Sequence, residues 1–188
     1  MKNRIRREIL KRRAMLGESD WNEKSRSIQD KFLNADFYKK PGSVLLYCHF
    51  DREVKTDLLI RNALDCGKIV CVPFNDWKRN IFTPSRIRSL EDVDNTGKIP
   101  QPFISTPFPP GRIELAVIPG VVFDVYGNRT GMGKGFYDRF LDGCRQDMLK
   151  ISLAFDFQVL DEELPVDSWD RKVDVILTEK RFIDCRRS

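Results

Sequence analysis

The residues best suited to chemistry gather in one stretch of the 188-residue chain, Ile118 to Asp138. An apolar run ends at Pro119-Gly120, the loop Gly131-Met132-Gly133-Lys134-Gly135 follows Arg129, and a helical pattern begins at Phe136. Glycines let backbone N–H groups approach phosphate oxygens, and a helix N-terminus adds partial positive charge. Arg129 and Lys134 add full charges, so phosphate binding is the chemistry indicated. Two familiar templates fail. A P-loop needs glycine at Asn128 and Ser or Thr at Gly135, and a dinucleotide fingerprint needs glycine at Phe136. Taken alone, the loop is equally compatible with a plain tight turn.

Asp138 falls in the first turn of the expected helix, where a carboxylate suits the helix dipole. It also suits Mg²⁺, which takes one or two carboxylates beside phosphate oxygens. Asp167 and Asp170 offer further carboxylates before a late apolar run, although spacing alone reads them as solvated loop charges. Lys2 and Arg6 share one helix face and, by spacing alone, make a solvated basic surface. His49 has no serine, cysteine or aspartate arranged with it as a triad.

The elements that must position these groups follow from periodicity. Residues 2–16 predict a helix with Ile5 and Ile9 inward, continued by Arg12 or Leu16, and Gly17 ends it. Ser19 is the expected cap of a second helix carrying Trp21, Ser25, Ile28 and Phe32. Val44 to Cys48 and Ile69 to Pro73 predict buried strands, joined by a helix that Thr56 or Asp57 caps and Gly67 ends. Residues 74–112 hold six of the ten prolines and predict an extended surface excursion with one short strand at Ile81-Phe82-Thr83. Leu115 to Ile118, Lys150 to Ala154 and Val173 to Thr178 predict further strands, and Phe136, Phe140, Leu141 and Cys144 an intervening helix. Strands alternating with helices imply one α/β domain around a mainly parallel sheet.

Length permits one sizeable core, and two full domains are not expected. The net charge of +5 is concentrated. Residues 1–13 carry seven basic side chains against Glu8, a local +6, and the remainder stands at −1. A nucleic-acid-binding module using that N-terminus is the alternative from another class, but such modules want a basic face on the fold itself. No apolar run is long enough to span a membrane, and Lys-Asn-Arg-Ile-Arg-Arg after Met1 does not read as a signal peptide. Five scattered cysteines form no C-x-x-C pair, and with the single His49 they predict neither zinc nor a disulfide framework. A reducing, cytoplasmic setting is the expectation.

Val117-Ile118-Pro119-Gly120-Val121-Val122-Phe123-Asp124, followed by Gly127 to Asp138, closely resembles the signature of the 5-formyltetrahydrofolate cyclo-ligase (5,10-methenyltetrahydrofolate synthetase) family. Lys2-x-x-Ile5-Arg6 is similar to the family's N-terminal Lys/Arg pair. Glu53-Val54-Lys55-Thr56 is similar to its first-strand loop, and Leu164-Pro165 through Asp170-x-x-Val173-Asp174 to its C-terminal motif. The resemblance implies a three-layer α/β fold with a central mainly parallel sheet, close to the NagB/RpiA/CoA-transferase group. It implies ATP- and Mg²⁺-dependent conversion of 5-formyltetrahydrofolate to 5,10-methenyltetrahydrofolate by phosphorylation of the formyl oxygen, with release of ADP and phosphate.

On the same basis Lys2, Arg6 and Arg129, with Gly131, Met132, Gly133, Lys134, Gly135, Phe136 and Tyr137, would contact ATP, with Arg129 and Lys134 catalytic. Asp138 and Asp170 would hold magnesium. Glu53 would hydrogen-bond the pterin, and Met132 to Phe136 would lie where folate meets ATP. The implied partners are small molecules, without nucleic acid or membrane, for a monomer or weak homodimer. A same-fold ATP-binding paralogue with another substrate is a further alternative. Two positions depart from the family: Phe136 stands where tyrosine is usual, and Phe74 where Arg or Lys often follows Pro73.

Overall fold

The computed structural model describes residues 2–187. Helices α1 (Lys2–Ala14) and α2 (Glu18–Asn34) and the single turn α3 (Asp36–Lys39) lead to β1 (Ser43–Leu45). Helix α4 (Asp57–Asp65) crosses to β2 (Ile69–Asp76), which folds back as β3 (Ile81–Ile87). A small ribbon of β4 (Val93–Asp94) and β5 (Gln101–Pro102) precedes β6 (Leu115–Val117). A hairpin of β7 (Val122–Asp124) and β8 (Arg129–Thr130) then leads to α5 (Phe136–Asp142). Strands β9 (Leu149–Leu153), β10 (Val159–Leu160), β11 (Val175–Leu177) and β12 (Phe182–Asp184) follow.

Seven strands form the central sheet in the order β12-β11-β9-β6-β1-β2-β3. The inner five are parallel, and both edges, β12 and β3, are antiparallel. The inner strands are largely apolar on both faces, as burial between two layers favours, except that β9 turns Lys150 and Ser152 to one side. Val44, Val70, Leu115, Ile151 and Val175 pack with Ile28 and Phe32 of α2 and Leu59 and Ala63 of α4. Leu45, Cys71, Ala116 and Ile176 pack with Phe123 of β7 and Phe140 of α5 on the opposite face. Side chains of this size stabilise the fold by roughly 1.5–3 kcal/mol each when fully buried. Helix α1 docks separately, through Ile9 against Val121, Val122 and Leu164.

This is the expected three-layer α/β architecture with a mainly parallel sheet, and three local expectations need correction. Gly17, in extended backbone, occupies the cap of α2, so the helix starts before Ser19 can serve. Residues 74–112 are more ordered than their prolines suggest, because β3 pairs with β2 along its whole length. Pro84 is tolerated there because β3 is an edge strand, and its carbonyl accepts from Phe108 N–H at 2.8 Å. The stretch after β6 does not run directly into the glycine loop; β7 and β8 pair first, alongside β10. Arg129 therefore sits on a strand, buried. Among the described residues, no helix is long and apolar enough to cross a membrane.

Candidate active site

Strands β1 and β6 are neighbours, so the chain leaving their carboxyl ends emerges on one edge of the sheet. That edge is where open α/β sheets bind ligands. The first exit leads to a turn ending at Glu53. The second passes Pro119-Gly120, the β7–β8 hairpin and loop 131–135 before entering α5. Arg13, Tyr47, Glu53, Pro119, Gly120 and Gln158 line a single crevice, so the two exits meet.

The hairpin is pinned by a buried carboxylate. Asp124 accepts from the backbone N–H groups of Tyr126 (2.9 Å), Asn128 (2.9 Å) and Leu164 (2.8 Å) and from Asn128 Nδ2 (2.7 Å). Gly127 is required at the turn: its φ is +85°, and a Cβ there would lie 2.4 Å from the Val173 carbonyl oxygen. These bonds fasten the second exit to the segment that carries Asp170. The aspartate was legible as part of the motif, but its anchoring role was not.

The predicted phosphate and metal residues come together. Arg129, with its side chain only 4% exposed, donates from Nη2 to Asp138 Oδ1 at 2.6 Å. Burial lowers the Arg129 pKa, opposed by Asp138, Tyr137 and Asp170 nearby. Lys2 Nζ bonds Asp167 and Asp170 at 2.7 and 2.8 Å. Burial works to lower the Lys2 pKa, and the two aspartates more than offset it. Asp170 is held below the ordinary carboxylate range: burial raises its pKa, but the Asp167 N–H, Lys2 and Arg129 outweigh that. The loop glycines lie against both guanidiniums. A Cβ on Gly131 would be 3.7 Å from Arg129 Nη1, and one on Gly133 would be 3.6 Å from Arg6 Nη1.

Helix α5 has only seven residues, and its cap, Gly135, sits at φ +66° with no side-chain bond. The helix end expected to attract phosphate is thus minor, and cationic side chains dominate the site. Met132 and Lys134 point outward and are exposed. Lys134 Nζ lies 5.6 Å from the ring centre of Trp77, and Trp77 meets Phe136 edge-on at 5.4 Å. Arg139 bonds the carbonyls of Asn80 and Lys134, tying the β2–β3 turn to the loop. Sequence reasoning missed this wall. Its signal was an aromatic beside Lys78 and Arg79, inside what read as an excursion. Phe136 keeps the ring contact that the family's usual tyrosine would make, without a hydroxyl.

Glu53 stands at the other end. Its side chain is 11% exposed, with Arg13 Nη1 at 3.9 Å, and Oε2 accepts from Phe50 N–H at 3.3 Å. Burial pushes its carboxyl up to about 7, opposed by Arg13 and the Phe50 N–H. Tyr137 packs on Phe82 at 4.9 Å, and burial and then the charge of Glu53 raise its pKa. Tyr137 therefore joins Glu53 to the loop, two residues after Gly135.

This donor set fits a magnesium nucleotide. The Nε atoms of Arg6 and Arg129 are buried without a hydrogen-bond partner among the described residues, and such groups suit phosphate oxygens. Among the described residues no cluster of three His, Cys, Asp or Glu side chains is placed to hold a metal. Asp138 and Asp170 could hold a hard cation completed by phosphate and water.

The chain has relatives that match it over nearly all of its length. A 5-formyltetrahydrofolate cyclo-ligase of Mus musculus is 28% identical, covering 95% of this chain and 93% of its own. One of Haemophilus influenzae is 29% identical, covering 90% and 92%. The solved 5,10-methenyltetrahydrofolate synthetase of Aquifex aeolicus superposes with a TM-score of 0.86 at 32% identity, covering 98% of this chain and 93% of that one. A Mycoplasma pneumoniae structure shares the fold at a TM-score of 0.76 and 24% identity. The 5-formyltetrahydrofolate cyclo-ligase family model matches residues 1–179, spanning both exits, α1 and the Asp170 segment, and the chain belongs to that family.

Proposed function

We propose that the protein converts 5-formyltetrahydrofolate to 5,10-methenyltetrahydrofolate, consuming ATP with Mg²⁺ and releasing ADP and phosphate. The observation that carries this reading is the crevice shared by Glu53 and Pro119-Gly120, with Tyr137, two residues beyond the glycine loop, near enough to Glu53 to feel its charge. A folate carboxylate partner and a phosphate loop on opposite faces would not support it.

A formamide oxygen is a poor leaving group, so ring closure needs it phosphorylated first. Phosphoryl transfer demands positioning and charge neutralisation more than covalent help from the protein. Arg6, Arg129 and Lys134 supply cations, and Met132 to Phe136 form the junction between the two substrates. Bound Mg²⁺ would add charge neutralisation across the phosphate oxygens. Asp138 and Asp170 would hold it, freeing Arg129 and Lys2 to face the phosphates. Glu53 would accept hydrogen bonds from the N–H edge of the pterin.

The basic N-terminal helix also favours this reading over nucleic-acid binding. It directs Lys2 to Asp170, Arg6 to Gly133 and Arg13 toward Glu53, so these three of its seven basic side chains are engaged inside the molecule. A cytoplasmic setting accords with five free cysteines. The test is to mix protein, ATP, Mg²⁺ and 5-formyltetrahydrofolate and follow the near-ultraviolet absorbance of the methenyl product. Growth of that absorbance is expected. ATP binding by folded protein with no absorbance change would instead favour a same-fold enzyme acting on another substrate.

A further inference from the structure

Two consecutive residues with side chains, Asp51 and Arg52, hold φ of +48° and +58°. They form the centre of a turn closed by Glu53 N–H donating to the Phe50 carbonyl at 3.0 Å. Such backbone is strained for residues carrying a Cβ and persists only where the surroundings over-determine it. Here two helices do so. From α2, Trp21 Nε1 donates to the Glu53 carbonyl at 2.7 Å, and the Arg52 guanidinium lies 4.6 Å over the Trp21 ring. From α1, Arg13 reaches beneath the turn, only 2% exposed, with Asp51 Oδ2 at 3.5 Å and Glu53 Oε1 at 3.9 Å.

The separation of Arg13 from Glu53 is informative. A guanidinium bonded directly to Glu53 would occupy the oxygens that a ligand needs. At 3.9 Å it compensates the buried negative charge, while the Glu53 carboxylate accepts a hydrogen bond only from Phe50 N–H among the described residues. We propose that Arg13 is a positioning residue for folate recognition: a buried cation that balances the Glu53 carboxylate and holds it aimed at the substrate's N–H donors without taking its oxygens. This rests on the cyclo-ligase reading, which places the pterin at Glu53.

The groups facing Glu53 are Arg13 from α1, Asp51 from the turn, Tyr47 from the end of β1 and Tyr137 from α5. Of these, Arg13 is the one that favours the charged carboxylate, and Asp51 disfavours it. The test is steady-state kinetics over a range of pH on Arg13→Met, Arg13→Lys, Glu53→Gln and the double variant Arg13→Met/Glu53→Gln. Arg13→Met is expected to raise the KM for 5-formyltetrahydrofolate on the order of 10- to 100-fold, with the KM for ATP unchanged. It should also move the midpoint of kcat/KM for folate to higher pH, because losing the cation makes the carboxylate harder to ionise. Arg13→Lys should recover most of both effects. In the Glu53→Gln background, Arg13→Met should add nothing to the folate KM, and that double variant leaves neither charge buried alone.

Equal rises in both KM values, or full additivity in the double variant, would overturn the proposal and leave Arg13 a structural residue. A raised folate KM in Glu53→Gln beside a normal one in Arg13→Met would overturn the Arg13 role alone. A Glu53→Gln enzyme with an unchanged folate KM would overturn the assignment of folate to Glu53, and this inference with it.

Discussion

On the loop side of the cleft, Met132, Gly133 and Lys134 are exposed, and the cations behind them are neutralised by replaceable partners. Lys2 holds Asp170 and Arg129 holds Asp138, the two carboxylates proposed for magnesium. On the Glu53 side the carboxylate is buried, its backbone is strained, and Trp21 and Arg13 fasten it from two helices. One side is a set of partly buried ion pairs, bordered by an exposed loop, that a charged ligand can rearrange. The other is a prebuilt, desolvated acceptor. Phosphates are strong ligands that can reorganise ion pairs for themselves, whereas a neutral pterin edge brings little energy to arrange its own site. On the proposed function, rigidity is placed where the ligand can contribute least.

Three variants would break or sharpen this contrast. Lys134→Ala should have the largest effect. Turnover should fall on the order of 10²–10³-fold with an unchanged melting temperature, since the side chain is exposed and is proposed to supply charge to the transferring phosphate. Undiminished turnover would remove the loop from the mechanism.

Glu53→Gln should come next, and its stability effect has a definite sign. The folded-state carboxyl titrates at about 7, above the ordinary value of 4.5, so the folded protein binds that proton more tightly than the unfolded chain. Stability from this group is therefore fully present below the unfolded value and is lost as pH rises through the folded one. The full loss is on the order of 3 kcal/mol. Thermal melts should show the variant gaining on the wild type at about pH 8 relative to about pH 5; a relative loss at the higher pH would mean that Glu53 is not a strained acceptor.

Gly135→Ala should have the smallest effect, about 1 kcal/mol of destabilisation. The new Cβ would sit at φ +66° and 3.0 Å from Arg139 Nη1, the far end of a flexible side chain. A much larger loss in a chemical-denaturation measurement would show the loop to be as rigidly built as the Glu53 turn.

Much of the fold was legible because its signals are local. Val44, Val70, Leu115, Ile151 and Val175 lie in short apolar runs between helical patterns, and such runs have few alternatives to buried parallel strands. The loop glycines and Lys134 were legible for the same reason, as residue types at fixed spacing. The β7–β8 hairpin was not, because Arg129-Thr130 is a two-residue strand whose identity depends on its partners Val122 and Phe123. Strand β3 was legible only over Ile81-Phe82-Thr83, because Pro84 hid its second half, and an edge position tolerates that proline. Ser19 misled because capping preference is a weak local signal that the extended backbone at Gly17 outweighed.

By itself the sequence determined the sheet and, through the spacing of its motifs, the family, and it pointed to the glycine loop as the candidate phosphate site. Each depends on residue type and near-neighbour spacing, which physical chemistry converts directly into structure. Only the tertiary structure decided that Arg129 is buried against Asp138, that Trp77 walls the loop, and that Arg13 lies 3.9 Å from Glu53. These pairings join residues far apart in the chain. Nothing in the local sequence distinguishes Arg13 from its neighbour Arg12; one is buried and the other exposed because the docking of Ile9 sets the rotation of α1.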